Sequence, residues 1–189
     1  MCTLEELKDD ESFWDEILYS KQGARHYDKL DDESKNCNYE LCKKCGGKCC
    51  QRCGCNFSPD DFSDLSFDGL LKEIQKGYIT IDLVDGDQFY INGMIWLVRM
   101  RNVNSPIVEN RIFHRGESGC IALKENGCPF DYAHRPAGGR LFIPGKKGFG
   151  KDCHTPYGTE EALREWKAHQ KVLSQLVDFI KDTNYPCQI

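Results

Sequence analysis

The 189-residue chain lacks several features that would place it in a well-defined class. It contains no apolar run near the roughly 18 residues that a membrane-spanning helix needs. Residues 1–10 lack the basic and apolar segments of a secretory signal, so we expect a cytoplasmic protein with no membrane partner. Serine-nucleophile, dinucleotide-binding, phosphate-loop and zinc-protease motifs are all missing from the sequence. The net charge of −5 leaves no overall basic footprint, which disfavours a nucleic-acid partner.

Cysteine is the abundant exception, with 12 residues in the chain. Thiols stay reduced in the cytoplasm, so this many cysteines in a cytoplasmic protein indicate metal binding. A secreted domain held together by disulfides is the alternative. The remaining composition, with 40% hydrophobic and 29% charged residues, is that of a globular protein.

We expect an α+β fold, in the form of a small single domain with a metal-organised cysteine-rich loop, a β-hairpin and a long C-terminal helix. Residues 1–36 are predicted to form an N-terminal helix and a polar linker. The cysteine-cluster metal-binding domain is predicted to span 37–158. The C-terminal helix is predicted within 159–189, packed on that domain.

Local signals predict the elements of the central domain. Ser66 is a helix-capping candidate, and Gly77 marks where that helix stops. Alternating apolar residues over 78–84, followed by an Asp-Gly hairpin signal at 85–86, predict a strand and a turn. One or two further strands are predicted within 89–100.

The strongest helical pattern spans 159–181, where an apolar stripe recurs at helical spacing. His169 and Gln170 fall inside that stripe. A core histidine with its hydrogen bonds satisfied is the ordinary interpretation, but polar residues on an apolar face also occur beside ligand cavities. We therefore keep His169 as a candidate cofactor-binding residue. Short extended segments are predicted near 111–113 and 141–143.

The cysteines fall into a dense set before residue 56 and a sparse set far downstream. Thiolates two residues apart can share one metal ion or iron–sulfur cluster, because a tight turn brings both sulfurs to one side. Their number exceeds the four ligands of one site, so two centres, or one centre with spare thiols, are expected. Cys153 and His154 are adjacent in the sequence, and two adjacent ligands of one metal strain the backbone. We therefore expect only one of them to bind the metal. The candidate ligands are Cys42, Cys45, Cys49, Cys50, Cys53, Cys55, Cys120, Cys128, Cys153 and His154.

Two motifs in this chain carry a resemblance to a known family. The first consists of Cys42, Cys45, Cys49 and Cys50, followed by the helix start at 58–60. The second contains Gly119-Cys120, Gly127-Cys128, Tyr132, Arg135-Pro136, Arg140 and Pro144. Together they resemble the YkgJ-like cysteine-cluster family, whose members are described as zinc- or iron-chelating domains. The resemblance covers roughly residues 37–154.

The resemblance implies a protein that chelates iron or zinc. A similar cluster occurs in flagellin lysine methylases, where an iron–sulfur cluster accompanies S-adenosylmethionine chemistry, although this chain shows no recognisable methyltransferase module. The family usually has a cysteine where this chain has Gly139. Either Cys153 or His154 replaces that ligand, or the metal keeps an open position, or the site is degenerate and weakly metallated.

Arginines near the second motif are the other candidates. Arg135 and Arg140 can clamp a carboxylate through paired hydrogen bonds. Alternatively, they bond to backbone carbonyls or to Asp131 and organise the cysteine loop. Arg99 and Arg101 share one face of a predicted strand, which is expected to be an ordinary solvated face although it can also line a pocket mouth.

The sequence favours a metal-binding protein with a cysteine-ligated iron centre or iron–sulfur cluster, of the 4Fe–4S type. Such a centre serves redox or group-transfer chemistry, as in an oxidoreductase or a transferase. The alternative is a zinc-binding structural module whose closed sites replace a hydrophobic core and which binds a partner protein. A thiol redox protein without metal is a third interpretation. Neither the substrate nor the partner can be inferred from these motifs.

Overall fold

The computed structural model describes residues 44–52, 54–109, 119–125, 127–130, 135–142, 153 and 155–183. The described elements combine short helices with one three-stranded sheet, which is an α+β arrangement. No helix in these ranges is long and apolar enough to cross a membrane. The helix and linker predicted for 1–36 and the extended segment predicted for 111–113 lie outside the described residues.

The sheet is centred on β1 (Ile79–Asp85), which confirms the strand predicted from alternating apolar residues. β2 (Met94–Met100) pairs antiparallel with β1 along its whole length, with Leu83 opposite Trp96. β3 (Val108–Glu109) pairs parallel on the other side of β1. Most residues of β1 and β2 are buried, so the sheet forms part of the interior of the domain.

The connection between β1 and β2 is longer than the hairpin signal at 85–86 predicts. A 3-10 turn, Gly86–Phe89, follows β1, and the chain enters β2 only at Met94. The Asp85 carboxylate accepts a hydrogen bond from the Asp87 backbone N–H at 3.0 Å and caps this turn. The Asp-Gly pair therefore begins a helical turn here instead of closing a tight hairpin.

The first helix, α1 (Phe67–Gln75), has the boundaries that its capping signals predict. The Ser66 hydroxyl accepts a hydrogen bond from the Gly69 N–H at 3.1 Å, which satisfies a first-turn donor. Gly77 ends the segment with a φ of 83°, a conformation that favours glycine.

A short helix, α2 (Ala137–Arg140), follows Pro136. The Gly139 and Arg140 N–H groups both donate to the Pro136 carbonyl at 2.8 Å. Leu141 continues the turn with φ −86° and ψ 7°, so the extended conformation predicted for 141–143 is wrong at its first residue. The helical turn that starts at Pro136 is the physical reason for the difference.

The C-terminal pattern forms two helices instead of one. α3 (Thr159–Trp166) and α4 (Gln170–Asp182) are separated by a 3-10 turn, Lys167–His169. At the break, the Gln170 side chain turns to the backbone of β2, accepting from the Trp96 N–H at 2.8 Å and donating to the Trp96 carbonyl at 2.7 Å. These bonds account for the polar residue that interrupts the apolar stripe.

The hydrophobic core lies between the sheet and the helices. Trp166 on α3 is fully buried, its ring meets that of Phe62 edge-on, and its indole N–H donates to the Phe57 carbonyl at 2.8 Å. Leu173 and Leu176 on α4 are also fully buried. Each such side chain contributes about 1.5–3 kcal/mol through burial. The described residues thus include an extensive apolar core between the sheet and the helices.

Candidate functional site

Two cysteine-bearing segments that are distant in the sequence are joined by backbone hydrogen bonds. The Cys120 N–H donates to the Cys50 carbonyl at 2.7 Å, and Asn102 pairs with Cys120 in an antiparallel bridge. The Met100 N–H, at the end of β2, donates to the Cys55 carbonyl at 2.8 Å. The end of β2 therefore anchors both segments to the sheet.

These segments enclose a cavity of about 230 Å³. Arg99, Arg135 and the start of α3 line it together with apolar side chains. Cys120 is buried and the other cysteines in the wall are half-buried. No disulfide joins any of the cysteines that the structure describes. Five cysteines line the cavity: Cys49, Cys50, Cys55, Cys120 and Cys128.

The sulfur positions suit a metal only in part. The Sγ atoms of Cys49 and Cys50 are 3.9 Å apart. Two thiolates bound tetrahedrally to one zinc at about 2.3 Å lie roughly 3.8 Å apart, so this pair fits a shared ion. Cys120 and Cys128 are close enough for their charges to act on Cys50. Within the described ranges, no three His, Cys, Asp or Glu side chains are close enough to hold an ion as they stand.

The cysteine thiols in the cavity wall differ in their pKa values. The pKa of Cys49 is lowered to about 6, chiefly by a hydrogen bond from the Cys50 thiol and to a smaller extent by the charge of Arg135, while burial opposes the shift. The same hydrogen bond, with burial, raises the pKa of Cys50 well above its ordinary value. Burial also raises the pKa of Cys128. Without a cation, one thiolate is therefore favoured near neutral pH, and metal binding would have to displace the other protons.

Gly139 stands where the resembled family usually has a cysteine, and it lies against Cys55. A Cβ on Gly139 would be 3.2 Å from the Cys55 Sγ. The thiol of Cys55 therefore lies beside position 139 in the wall of the cavity. Replacement of the family's cysteine ligand by Cys153 or His154 was one expectation, beside an open position on the metal and a degenerate site. Cys153 is half-buried and does not line the cavity, and His154 lies outside the described residues.

Arg135 and Arg140 bond to backbone carbonyls and to a carboxylate next to the cavity. Arg135 lines the cavity, and its Nε donates to the Phe130 carbonyl at 3.1 Å. Arg140 does not line it, because its Nη1 donates to the Arg135 carbonyl at 2.6 Å and its Nη2 pairs with Asp61 at 2.9 Å. This arrangement matches the organising alternative, with Asp61 as the carboxylate partner of Arg140.

The other predicted site residues are not brought to the cavity. His169 is half-buried in the turn between α3 and α4, where its ring meets Trp166 with centroids 5.8 Å apart. Cys45 is half-buried and does not line the cavity. Two further predicted ligands, Cys42 and Cys53, lie outside the described residues.

Arg99 lies in the cavity wall, which was the alternative to the solvated strand face expected for it. A solvated strand face was expected, but Arg99 and Arg101 are 3% and 1% exposed. Arg99 lines the cavity, and its Nε lies 2.5 Å from Oδ2 of Asp82. The available signal was the pair of polar residues, Thr80 and Asp82, at alternate positions of an otherwise apolar strand.

Tyr157 also lines the cavity and was not singled out from the sequence. Its hydroxyl donates to the Glu165 carboxylate at 2.7 Å, and Glu165 also accepts from the Ser58 hydroxyl at 2.7 Å. Burial is the main cause that raises the pKa of Tyr157. The phenol therefore stays protonated and acts as a hydrogen-bond donor.

No family model, no curated protein and no solved structure matches this chain. The resemblance to the YkgJ-like family accordingly stays a prediction. The cavity itself, with five cysteines and two arginines in its wall, is what supports any assignment of function.

Proposed function

We propose that this protein binds a thiolate-ligated iron centre, as iron or an iron–sulfur cluster, in the cysteine-lined cavity, and uses it in redox or group-transfer chemistry. One observation carries the proposal: thiols from two segments far apart in the sequence line a single cavity. Thiolates are the protein ligands of iron–sulfur clusters and of other soft metal sites. When bound, the centre would supply electron transfer or an approachable coordination position.

The residues proposed to hold the centre are Cys49, Cys50, Cys120 and Cys128. Arg135 favours the thiolate forms of Cys49 and Cys128, because its positive charge lowers the pKa of both. A cation in this position offsets part of the negative charge that several thiolates would bring into a half-buried site. Groups that orient and polarise ligands in this way tune metal sites.

Two features favour an accessible centre over a closed structural one. A cavity of about 230 Å³ adjoins the sulfurs, whereas a closed zinc site is filled by its four ligands. The domain also buries an apolar core around Trp166 and the sheet. A metal is therefore not needed as a substitute for that core.

Zinc in a structural and interaction module is the second candidate. The 3.9 Å separation between the Sγ atoms of Cys49 and Cys50 favours it, because this distance suits two ligands of one tetrahedral ion. Zinc would then contribute to the free energy of folding, and a chelator would unfold the protein.

Metal analysis of the full-length protein, purified anaerobically, separates the two candidates. We expect bound iron with charge-transfer absorption in the visible range, and acid-labile sulfide if a cluster is present. Colourless protein with stoichiometric zinc that unfolds in chelator would instead support the second candidate. Protein without either metal, with its thiols oxidised to disulfides, would contradict both.

Removing a single sulfur tests which cysteines bind. Cys49→Ser and Cys128→Ser are each expected to weaken metal binding by at least about 10- to 100-fold, the loss seen even for outer-shell partners. Cys45→Ser is the matched control from the same segment, since Cys45 does not line the cavity. Metal content per folded protein is measured, with circular dichroism as the folding check. Equal loss in all three variants would show that the cavity does not define the ligand set.

A further inference from the structure

We infer that the cavity contains a binding subsite, organised by Arg99, for the carboxylate of a small apolar molecule. The subsite shares its cavity with the proposed metal centre. It depends on the arginine and on the shape of the cavity, so it goes beyond the proposed function and can be tested separately.

Arg99 is a buried cation whose Nε has no hydrogen-bond partner in the described part of the chain. Its side chain is 3% exposed, and its Nε lies 2.5 Å from Oδ2 of Asp82 without the geometry of a hydrogen bond. No other ion pair or side-chain hydrogen bond of Arg99 occurs in the part of the chain that the structure describes. A guanidinium carries five N–H donors in a planar fork. The buried Nε–H without a hydrogen bond costs free energy, and a carboxylate bound to the guanidinium would offset part of that cost.

Pairing with Asp82 does not explain why Arg99 is buried, because a buried ion pair adds little to the stability of the fold. Asp82 is itself 4% exposed, and burial raises the pKa of its carboxyl to about 6. The charge of Glu109 raises the pKa of Asp82 further, whereas Arg99 lowers it. Buried ion pairs contribute little net stability because both charges lose their hydration. A binding role for Arg99 accounts for a charged pair that the fold alone does not require.

The size and the lining of the cavity define the ligand class. An apolar cavity of about 150 Å³ accommodates benzene, so about 230 Å³ leaves room for an aromatic ring with a carboxylate. The apolar part of the wall consists of Met100, Ala122, Leu123, Phe130 and Phe142. A planar carboxylate suits the guanidinium fork, which binds it through two parallel hydrogen bonds.

The start of α3 supplies further donors to the same cavity. Gly158 and Thr159 both line it, and Gly158 caps the helix without any side-chain hydrogen bond. First-turn N–H groups that lack a side-chain cap favour anions. Arg99 and this helix start are therefore two positive features of the cavity, in addition to Arg135.

Benzoate is the probe, and benzamide of the same shape is its uncharged control. Binding to the full-length protein is measured by isothermal titration calorimetry. We expect benzoate to bind at least about 10-fold more tightly than benzamide, because the charge-assisted hydrogen bonds require an anion. Equal affinity for the two probes, or no binding of either, would overturn the inference.

Two variants on the same ion pair are expected to change the affinity for benzoate in opposite directions. Arg99→Met removes the fork and should weaken benzoate binding by about 10-fold or more. Asp82→Asn removes the competing carboxylate while keeping the shape of the side chain, and should strengthen it. Arg164→Met, at an exposed arginine on α3, is the control and should leave the affinity unchanged. If Arg99→Met does not fold, the affinity of the Asp82→Asn variant for benzoate is the deciding measurement. Weaker binding of benzoate to Asp82→Asn would contradict the inference.

Metal content, measured on the same samples, keeps this inference distinct from the proposed function. Metal-free protein that still prefers benzoate over benzamide would support the subsite and contradict the iron centre. Protein that holds iron as purified but shows no such preference after the metal is removed would contradict the subsite and leave the metal proposal standing.

Discussion

Asp61→Ala is expected to lower the free energy of unfolding by about 3–5 kcal/mol, the cost of removing one partner from a buried ion pair. The two carboxylate oxygens of Asp61 join separate parts of the chain. Oδ2 accepts from the Ser58 N–H at 2.9 Å and from the Ala137 N–H at 2.8 Å, while Oδ1 accepts from Arg140 at 2.9 Å. Asp61 and Arg140 are each 2% exposed, so alanine would leave an uncompensated charge in the interior.

Urea denaturation followed by tryptophan fluorescence measures the effect. Arg164→Ala is the control, because its ion pair with Glu160 is about half exposed and should contribute no more than about 1 kcal/mol. If the two variants lose similar stability, the connection between the Ser58–Asp61 turn and α2 does not hold the cavity wall. The sequence placed Arg140 near the site, but only the structure identifies its carboxylate partner.

Gly54→Ala is expected to cost about 3 kcal/mol or more, at the upper end of the range for overpacked positions. A Cβ on Gly54 would lie 1.9 Å from the Met100 carbonyl oxygen and 2.9 Å from the Met100 Cβ. The Gly54 N–H also donates to the Asn102 side chain at 2.6 Å, so the backbone cannot move away freely. The clash would push the cysteine segment off the end of β2.

Two measurements follow the Gly54→Ala variant: the free energy of unfolding, and the rate of limited proteolysis within residues 44–57. Both stability and protection are expected to fall. Gly158→Ala is the matched control, because a Cβ there meets nothing within 4 Å and the φ of −87° suits alanine. Its cost should stay below about 1 kcal/mol, that of a weaker helix cap. Equal tolerance of both substitutions would contradict the close packing at Gly54.

Local patterns predicted the elements whose signals are local. The alternation before Asp85 identified β1, and the Ser66 cap with Gly77 bounded α1, because both depend on neighbouring residues. The break before Gln170 was not predicted, since it depends on bonds to Trp96 on a strand 74 residues away in sequence. The turn after β1 was missed because an Asp side chain can cap a helical turn as well as enter a hairpin.

In the candidate site as well, residues within sequence motifs were predicted, whereas contacts between residues far apart in the sequence were not. Cys49 and Cys128 were named from motif spacing, but only the structure shows that both line one cavity. The burial of Arg99 was not predicted, because it depends on how the sheet is covered. Cys55 beside Gly139 is a contact across more than 80 positions, and motif spacing carries no information about it.

The bonds from Gln170 to Trp96 have a consequence for how copies of this chain behave at high concentration. Together with the pairing of Cys55 and Phe57 to Met100 and Val98, they occupy outward-facing polar groups along β2. A strand with a bare outer side is a template for edge-to-edge association and fibre growth. Here that side is already taken by a glutamine amide and a cysteine-bearing segment, so Gln170→Ala should promote aggregation through β2.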